Sequence, residues 1–332
     1  MSETQFDVLG IGNAIVDIIA ECDDAMLDEL GLAKGHMQLI DADQADQLYG
    51  KMGPGVEASG GSVANTCAGL ASFGAKTAFV GKVADDQFGK VFAHDINSIG
   101  VHYHNQPVHS TTPTARCLIL VTPDGERTMS TYLGVSTELG DANITEDIVR
   151  TAKLIYMEGY LFDKPEAKSA FYKAAAFAND AGRKVALSLS DAFCVERHRA
   201  AFQDLIEERI DILFANNEEI LAIYETETLE QAIDKVRASC DITAVTLGAD
   251  GSLIVTRDDI IEIPPVPTQT VKDTTGAGDQ YAAGFLYGYA NALPLQTCGA
   301  LASLAASEVI SHIGARPQVN LQKLAQDNAM IA

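Results

Sequence analysis

Seven residues, Asp273-Thr274-Thr275-Gly276-Ala277-Gly278-Asp279, lead straight into the apolar run Gln280-Tyr281-Ala282-Ala283-Gly284-Phe285-Leu286. A polar, glycine-bearing turn before an alanine-rich segment predicts a helix start whose first N–H groups lack intrahelical acceptors. Those groups lie at the positive end of the helix dipole and suit an anion such as phosphate. Asp279 stands in the same place. A carboxylate does not bind phosphate, but it takes a proton from a hydroxyl beside one. Gly276, Ala277 and Gly278 as an anion cradle, Asp279 as a base, and Thr274 and Thr275 flanking them predict phosphoryl transfer to an alcohol. Asp is also a favoured N-cap, so a purely structural helix start is the alternative.

Four further clusters close β-like runs. Gly10-Ile11-Gly12-Asn13 begins like a dinucleotide fingerprint, but Ile15 stands where the third glycine belongs, so an NAD site is discounted. Asn13 and Asp17 are candidates for vicinal hydroxyls, or a turn Asn and a solvated Asp. In Gly60-Gly61-Ser62-Val63-Ala64-Asn65, the glycines allow close backbone approach, Ser62 is a candidate cap, and Asn65 lies one turn into the helix. Asn216 and Glu219 in Asn216-Asn217-Glu218-Glu219 suit a Mg²⁺ that keeps most of its waters, or the acids simply open a helix. Thr246, Gly248 and Gly251 form a tight turn that would line a nucleotide. GxxxxGK[ST], HRD and DFG are absent, which excludes a P-loop ATPase and a protein kinase.

Short apolar runs alternate with helical periods. Strands are predicted over 6–12, 77–83, 154–160, 184–189, 210–215 and 243–247, and helices over 62–73, 86–99, 166–181 and 229–239. The alternation predicts an α/β fold, a central, mostly parallel sheet with helices on both faces. Two regions break the rhythm: Ile15 to Ala20, and Thr114 to Leu133 with its Pro123-Asp124-Gly125 turn. They predict a small β-sheet lid, formed by about 13–50 and 105–138, that closes over a substrate.

The chain has 332 residues, 47% hydrophobic and 21% charged, with a formal net charge of -23. Such acidity argues against a nucleic-acid partner. The six cysteines are scattered without a CxxC pair, as buried free thiols in a reducing compartment would be. The N-terminus lacks a signal-peptide pattern, and no apolar run reaches the roughly 20 residues of a membrane span. A cytoplasmic monomer or homodimer is expected.

Together the motifs resemble the PfkB/ribokinase-like family of carbohydrate and nucleoside kinases, over residues 6 to 317. The stretch 60–89 is similar to the family's first signature and 273–286 to its second. Within the family, Gly12-Asn13-Ala14-Ile15-Val16-Asp17 and Leu187-Ser188-Leu189-Ser190-Asp191-Ala192-Phe193 look most like its adenosine-phosphorylating branch. The resemblance implies a single ribokinase-like domain over 1–332 that moves phosphate from ATP to the 5′-hydroxyl of a nucleoside, adenosine foremost. A sugar kinase of the same family, or a nucleoside-binding regulator without turnover, are the alternatives. It further implies Asp279 as base, and Gly276, Ala277 and Gly278 as the anion hole. Asn13, Asp17, Gly60, Gly61 and Asn65 are implied on the ribose, with Arg127 of the lid reaching the phosphates. Asn216 and Glu219 would organise Mg²⁺ through water. Thr246, Gly248, Gly251, Thr274 and Thr275 would lie along ATP, and residues 307–314 would wall its adenine. K⁺ beside the anion hole is implied with Asp273 as a candidate contact. Tyr160, Phe162 and Tyr132 are candidate base-stacking rings.

Overall fold

The computed structural model describes residues 4–331. Its large sheet has nine strands: β1 (Phe6–Ile11), β5 (Thr77–Val80), β6 (Val101–Tyr103), β9 (Ala152–Glu158), β10 (Lys184–Ser188), β11 (Ile212–Asn216), β12 (Ile242–Thr246), β13 (Ser252–Thr256) and β14 (Ile260–Ile263). They lie in the order β14-β13-β12-β11-β10-β9-β1-β5-β6. The seven strands from β12 to β6 are parallel, and β13 and β14 add an antiparallel edge. The central strands read as continuous apolar runs because both faces are covered. Leu9, Ile11, Ile155 and Met157 pack with Phe171, Phe202 and Ile220 of the helices Pro165–Asp180, Ala192–Arg209 and Asn217–Tyr224. Val8, Leu154, Tyr156 and Phe214 face the other way, onto Val63, Phe92 and Phe285 of the helices Ser62–Ser72, Gln87–Ser98 and Ala277–Ala290. Each such side chain, once buried, is worth about 1.5–3 kcal/mol.

Strand order reverses beside β1. The chain runs from β1 outward to β5 and β6, then returns to β9 and proceeds the other way. Loops at the C-terminal ends of β1 and β9 therefore diverge and leave a crevice, the usual ligand site of an open α/β sheet.

The second sheet has five strands, β2 (Ile15–Glu21), β3 (Met37–Leu39), β4 (Gly55–Gly60), β7 (Ala115–Val121) and β8 (Arg127–Tyr132), in the order β3-β8-β7-β2-β4. It takes in Gly55–Gly60, beyond the 13–50 segment expected for the lid. Strand alternation splits its side chains. Val16, Ile18, Leu118 and Leu120 pack on Leu27, Ala45 and Leu48. Asp17, Ile19, Cys117, Ile119, Arg127, Met129 and Thr131 face a cleft over the large sheet. Among the described residues no helix is long and apolar enough to cross a membrane.

Candidate active site

The cleft between the sheets encloses about 550 Å³. Its floor is the 273–279 turn. Gly276 is the N-cap of helix Ala277–Ala290 with φ +80°, a conformation that favours glycine. A Cβ there would also lie 2.7 Å from Ala315. Ala277 N–H donates to Thr274 O at 3.2 Å and Gln280 N–H to Gly276 O at 2.8 Å. The N–H groups of Gly276, Gly278 and Asp279 have no acceptor among the described residues, which leaves three donors at the positive helix end.

Asp279 lies in the first turn of that helix. Its Oδ1 accepts from Ser62 Oγ at 2.6 Å and its Oδ2 from Asn65 Nδ2 at 3.2 Å. Burial pushes its carboxyl up to about 6 against those two hydrogen bonds, and the charge of Asp17 adds to the rise. A carboxylate so placed is a stronger base than a solvated one. Ser62 is therefore not the expected cap: the N-cap is Gly61, which makes no side-chain cap bond, and the Ser62 hydroxyl reaches across to Asp279. Asn65 is in turn oriented by Arg316, whose Nε donates to Asn65 Oδ1 at 3.3 Å. Arg316 Nη1 and Nη2 donate to Asp95 at 2.9 Å and Ser59 Oγ at 2.7 Å.

At the strand-order reversal stands Glu158, wholly buried. It accepts from Asn13 N (2.8 Å), Asn13 Nδ2 (2.7 Å) and Val63 N (2.9 Å). It thus ties the end of β1 to the start of helix Ser62–Ser72. Burial pushes its carboxyl up to about 7 against these donors. Ser136 Oγ donates to Asn13 Oδ1 at 2.8 Å. The Asn13 amide is therefore committed within the protein and does not line the cleft, whereas Asp17, Gly61 and Asn65 do. Gly60 does not line the cleft, but a Cβ on it would come within 2.3 Å of Asp17, so it leaves room for that carboxylate. Burial lifts the Asp17 carboxyl to about 6, opposed by Arg316 and Arg127.

Arg127 enters from the lid. Its Nη1 donates to Asp273 Oδ2 at 2.8 Å, and the two side chains are only 6% and 5% exposed. Asp273 also accepts from Thr275 N and Gly314 N, both at 2.9 Å. The candidate K⁺ contact thus faces an arginine and two amides, a poor fit for a further cation.

Across the cleft, Asn216 and Glu219 form a reciprocal helix cap. Asn216 Oδ1 accepts from Glu219 N, while Asn216 N and Nδ2 donate to the Glu219 carboxylate at 3.0 and 2.8 Å. The pair opens a helix, and it also lines the cleft. Burial pushes Glu219 up to about 7, against the Asn216 backbone bond and with Asp191 and Glu218 adding. Thr246, Thr274, Thr275 and Ala277 also line the cleft. Gly248 and Gly251 make the turn between β12 and β13, closed by Leu247 N–H on Gly251 O at 2.8 Å, and lie outside it. A second cavity of about 520 Å³ opens beyond the turn, with Lys272 in its wall and with Ser307, Glu308 and Ser311 from the 307–314 segment expected around adenine.

Of the three candidate rings only Tyr160 lines the cleft. Phe162 is wholly buried and stacks on Phe202 at 4.0 Å. Tyr132 points to the opposite face of β8, near Arg116. Tyr160, in the 3₁₀ turn Gly159–Asp163, is 40% exposed and lines the cleft. Its hydroxyl donates to Ser190 O at 3.1 Å. Sequence reasoning missed Glu158 and Arg316. An acid closing the apolar run Leu154-Ile155-Tyr156-Met157 was the available signal for Glu158, since a buried carboxylate needs partners. Arg316 carried no local signal.

Residues 29–321 match the family described as pfkB family carbohydrate kinase. The chain is 50% identical to a solved adenosine kinase from Sinorhizobium meliloti, covering 98% of this chain and 100% of that one at a TM-score of 0.90. It is 47% identical to a probable sugar kinase from Rhizobium etli, covering 99% and 100% at a TM-score of 0.91. A curated relative, the 5-dehydro-2-deoxygluconokinase of Geobacillus thermodenitrificans, is 28% identical over 76% of this chain and 78% of its own length.

Proposed function

The chain belongs to the pfkB family of carbohydrate kinases and is a phosphotransferase, and from that premise we propose that it phosphorylates the 5′-hydroxyl of a nucleoside, adenosine foremost, with ATP as donor. The observation that carries the nucleoside reading is the wall of the cleft. Ile15, Ile19, Cys117, Ile119 and Met129 give the lid an apolar inner face, and Tyr160 stands opposite. Arg127 is the sole Lys or Arg lining the cleft among the described residues, and it is committed to Asp273. A sugar acid would bring a carboxylate to a site that already holds Asp17, Glu219 and Asp279 and offers it no unpaired cation. A flat, uncharged base fits the same wall.

In this reading Asp279 accepts the hydroxyl proton as the oxygen attacks phosphorus. The N–H groups of Gly276, Gly278 and Asp279 receive the negative charge of the transferring group. Asp17, with Gly61 and Asn65, holds the sugar hydroxyls. Ser62 and Asn65 aim the base. Asn216 and Glu219 would hold a Mg²⁺ through water, and such an ion would supply charge neutralisation to the phosphates.

The high identity to an adenosine kinase supports this acceptor, while the 5-dehydro-2-deoxygluconokinase relatives supply the competing one. ADP release from ATP and Mg²⁺ should be measured with adenosine, other nucleosides, ribose, fructose and 5-dehydro-2-deoxygluconate. Adenosine is expected to give the highest kcat/KM. A sugar or sugar acid turning over faster than every nucleoside would sink the proposal.

A further inference from the structure

Glu158 is a buried acid for which the phosphoryl chemistry has no use. It closes β9 in the large sheet and is wholly buried. Its partners are three neutral N–H groups, not a cation. A carboxylate so placed is less favourable than an apolar side chain of similar size. The chain also leaves position 12 without a side chain for it: a Cβ on Gly12 would lie 2.6 Å from Glu158 Oε2.

Its neighbours are the connections of the lid. Among the described residues the chain passes between the two sheets four times: from β1 to β2, from β4 to helix Ser62–Ser72, from β6 to β7, and from β8 to the 3₁₀ turn Gly134–Glu138. Glu158 holds the first crossing through Asn13 and the second through Val63. Those two also touch, since a Cβ on Gly61 would lie 2.3 Å from Asn13 O. From the fourth crossing, Ser136 Oγ donates to Asn13 Oδ1 at 2.8 Å. Its neighbour Val135 N–H donates to Pro113 O of the third at 2.9 Å. All four crossings are thus joined, and the carboxylate of Glu158 is where the large sheet grips them.

We infer that Glu158 is a positioning residue that fixes the angle of the lid over the large sheet, and with it the place of Asp17 relative to Asp279. This rests on the acceptor-holding role proposed for Asp17. Asp17 lies on β2, just past the first crossing. Ser62 and Asn65, which aim Asp279, lie just past the second. The acceptor contact and the base are therefore tied through one side chain. In Glu158→Gln the new NH₂ group must face either Asn13 or Val63, donor against donor. None of the three donors belongs to the anion turn 273–279, so the phosphate side should not feel the change.

The test measures Glu158→Gln with the best acceptor found in the panel above. The acceptor KM should rise by about tenfold to a hundredfold, while the KM for ATP moves by less than about twofold. Ser136→Ala cuts only the link between the fourth crossing and Asn13, and it leaves Glu158 in place should the first variant fold poorly. It should raise the acceptor KM by about twofold to tenfold. Amide hydrogen exchange reads the hinge without turnover: in both variants β2, β4, β7 and β8 should exchange faster while β10, β11 and β12 keep wild-type protection. Equal rises in both KM values, an acceptor KM unchanged in both variants, or exchange that quickens evenly across the two sheets would overturn the assignment. Lid-confined exchange in a protein that turns over no acceptor would uphold the hinge and overturn the acceptor reading instead.

Discussion

Asp273 and Asp279 open and close one seven-residue turn, yet the molecule treats them oppositely. Asp273 is sealed against the lid arginine and takes two backbone amides besides. Asp279 faces the cleft and receives only a neutral hydroxyl and a neutral amide. A cationic partner makes a carboxylate a fixed structural charge, whereas neutral donors orient it and leave it able to take a proton. The first aspartate fastens lid to floor, and the second is available for chemistry. Residue type and spacing are the same at both ends. The difference lies in what the rest of the chain brings alongside.

The contrast is easiest to break at Asp279. Asp279→Asn keeps the shape and the Ser62 contact but removes the base, so kcat should fall by roughly 10²–10⁴ with the KM for ATP nearly unchanged. Steady-state ADP release checks this, and wild-type-like turnover would remove Asp279 from the mechanism. Asp273 should fail in a different quantity. Asp273→Asn strands the buried Arg127 charge, which typically costs about 3–5 kcal/mol. Urea unfolding should show that loss, and Arg127→Met combined with Asp273→Asn should recover part of it. Additive losses would mean that the pair is not coupled.

The smallest effect sharpens the comparison through pH. The Asp279 carboxyl is raised from 3.8 to about 6 in the folded protein. A raised acid contributes stability that is present at low pH and lost as pH climbs from about 4 through 6. Asp279→Asn should therefore be more stable than wild type at pH 8, on the order of 3 kcal/mol, and the gap should close toward pH 4. Thermal melts across that range test the sign. Activity runs the other way: wild-type kcat/KM should rise with pH through about 6, because only the ionised carboxylate accepts a proton. A stability gap independent of pH would show that the Asp279 carboxyl is not raised.

Much of this was legible along the chain. The turn 273–279 declares itself because its glycines, its acid and the following helix all lie within a few residues. The hairpin around Pro123-Asp124-Gly125 and the apolar runs of β1, β9 and β10 are local as well. The aromatic choice was not legible. Tyr160, Phe162 and Tyr132 are equivalent in type, and only the 3₁₀ turn after β9 and the face alternation of β8 separate them. Ser62 looked like a cap because caps are local, but its hydroxyl found a better acceptor in an element far along the chain.

Helix periods, strand alternation and the anion turn were written in the order of residues, because each depends on neighbours within about four positions. The partners of the acid were not. Ser62 and Asp279 are 217 residues apart, and they meet only because the helices that carry them pack side by side on one face of the sheet. Local pattern states that each helix has an apolar stripe but not which stripe it will cover. That choice, made by the packing of the whole core, gave one aspartate a cationic partner and the other only neutral donors.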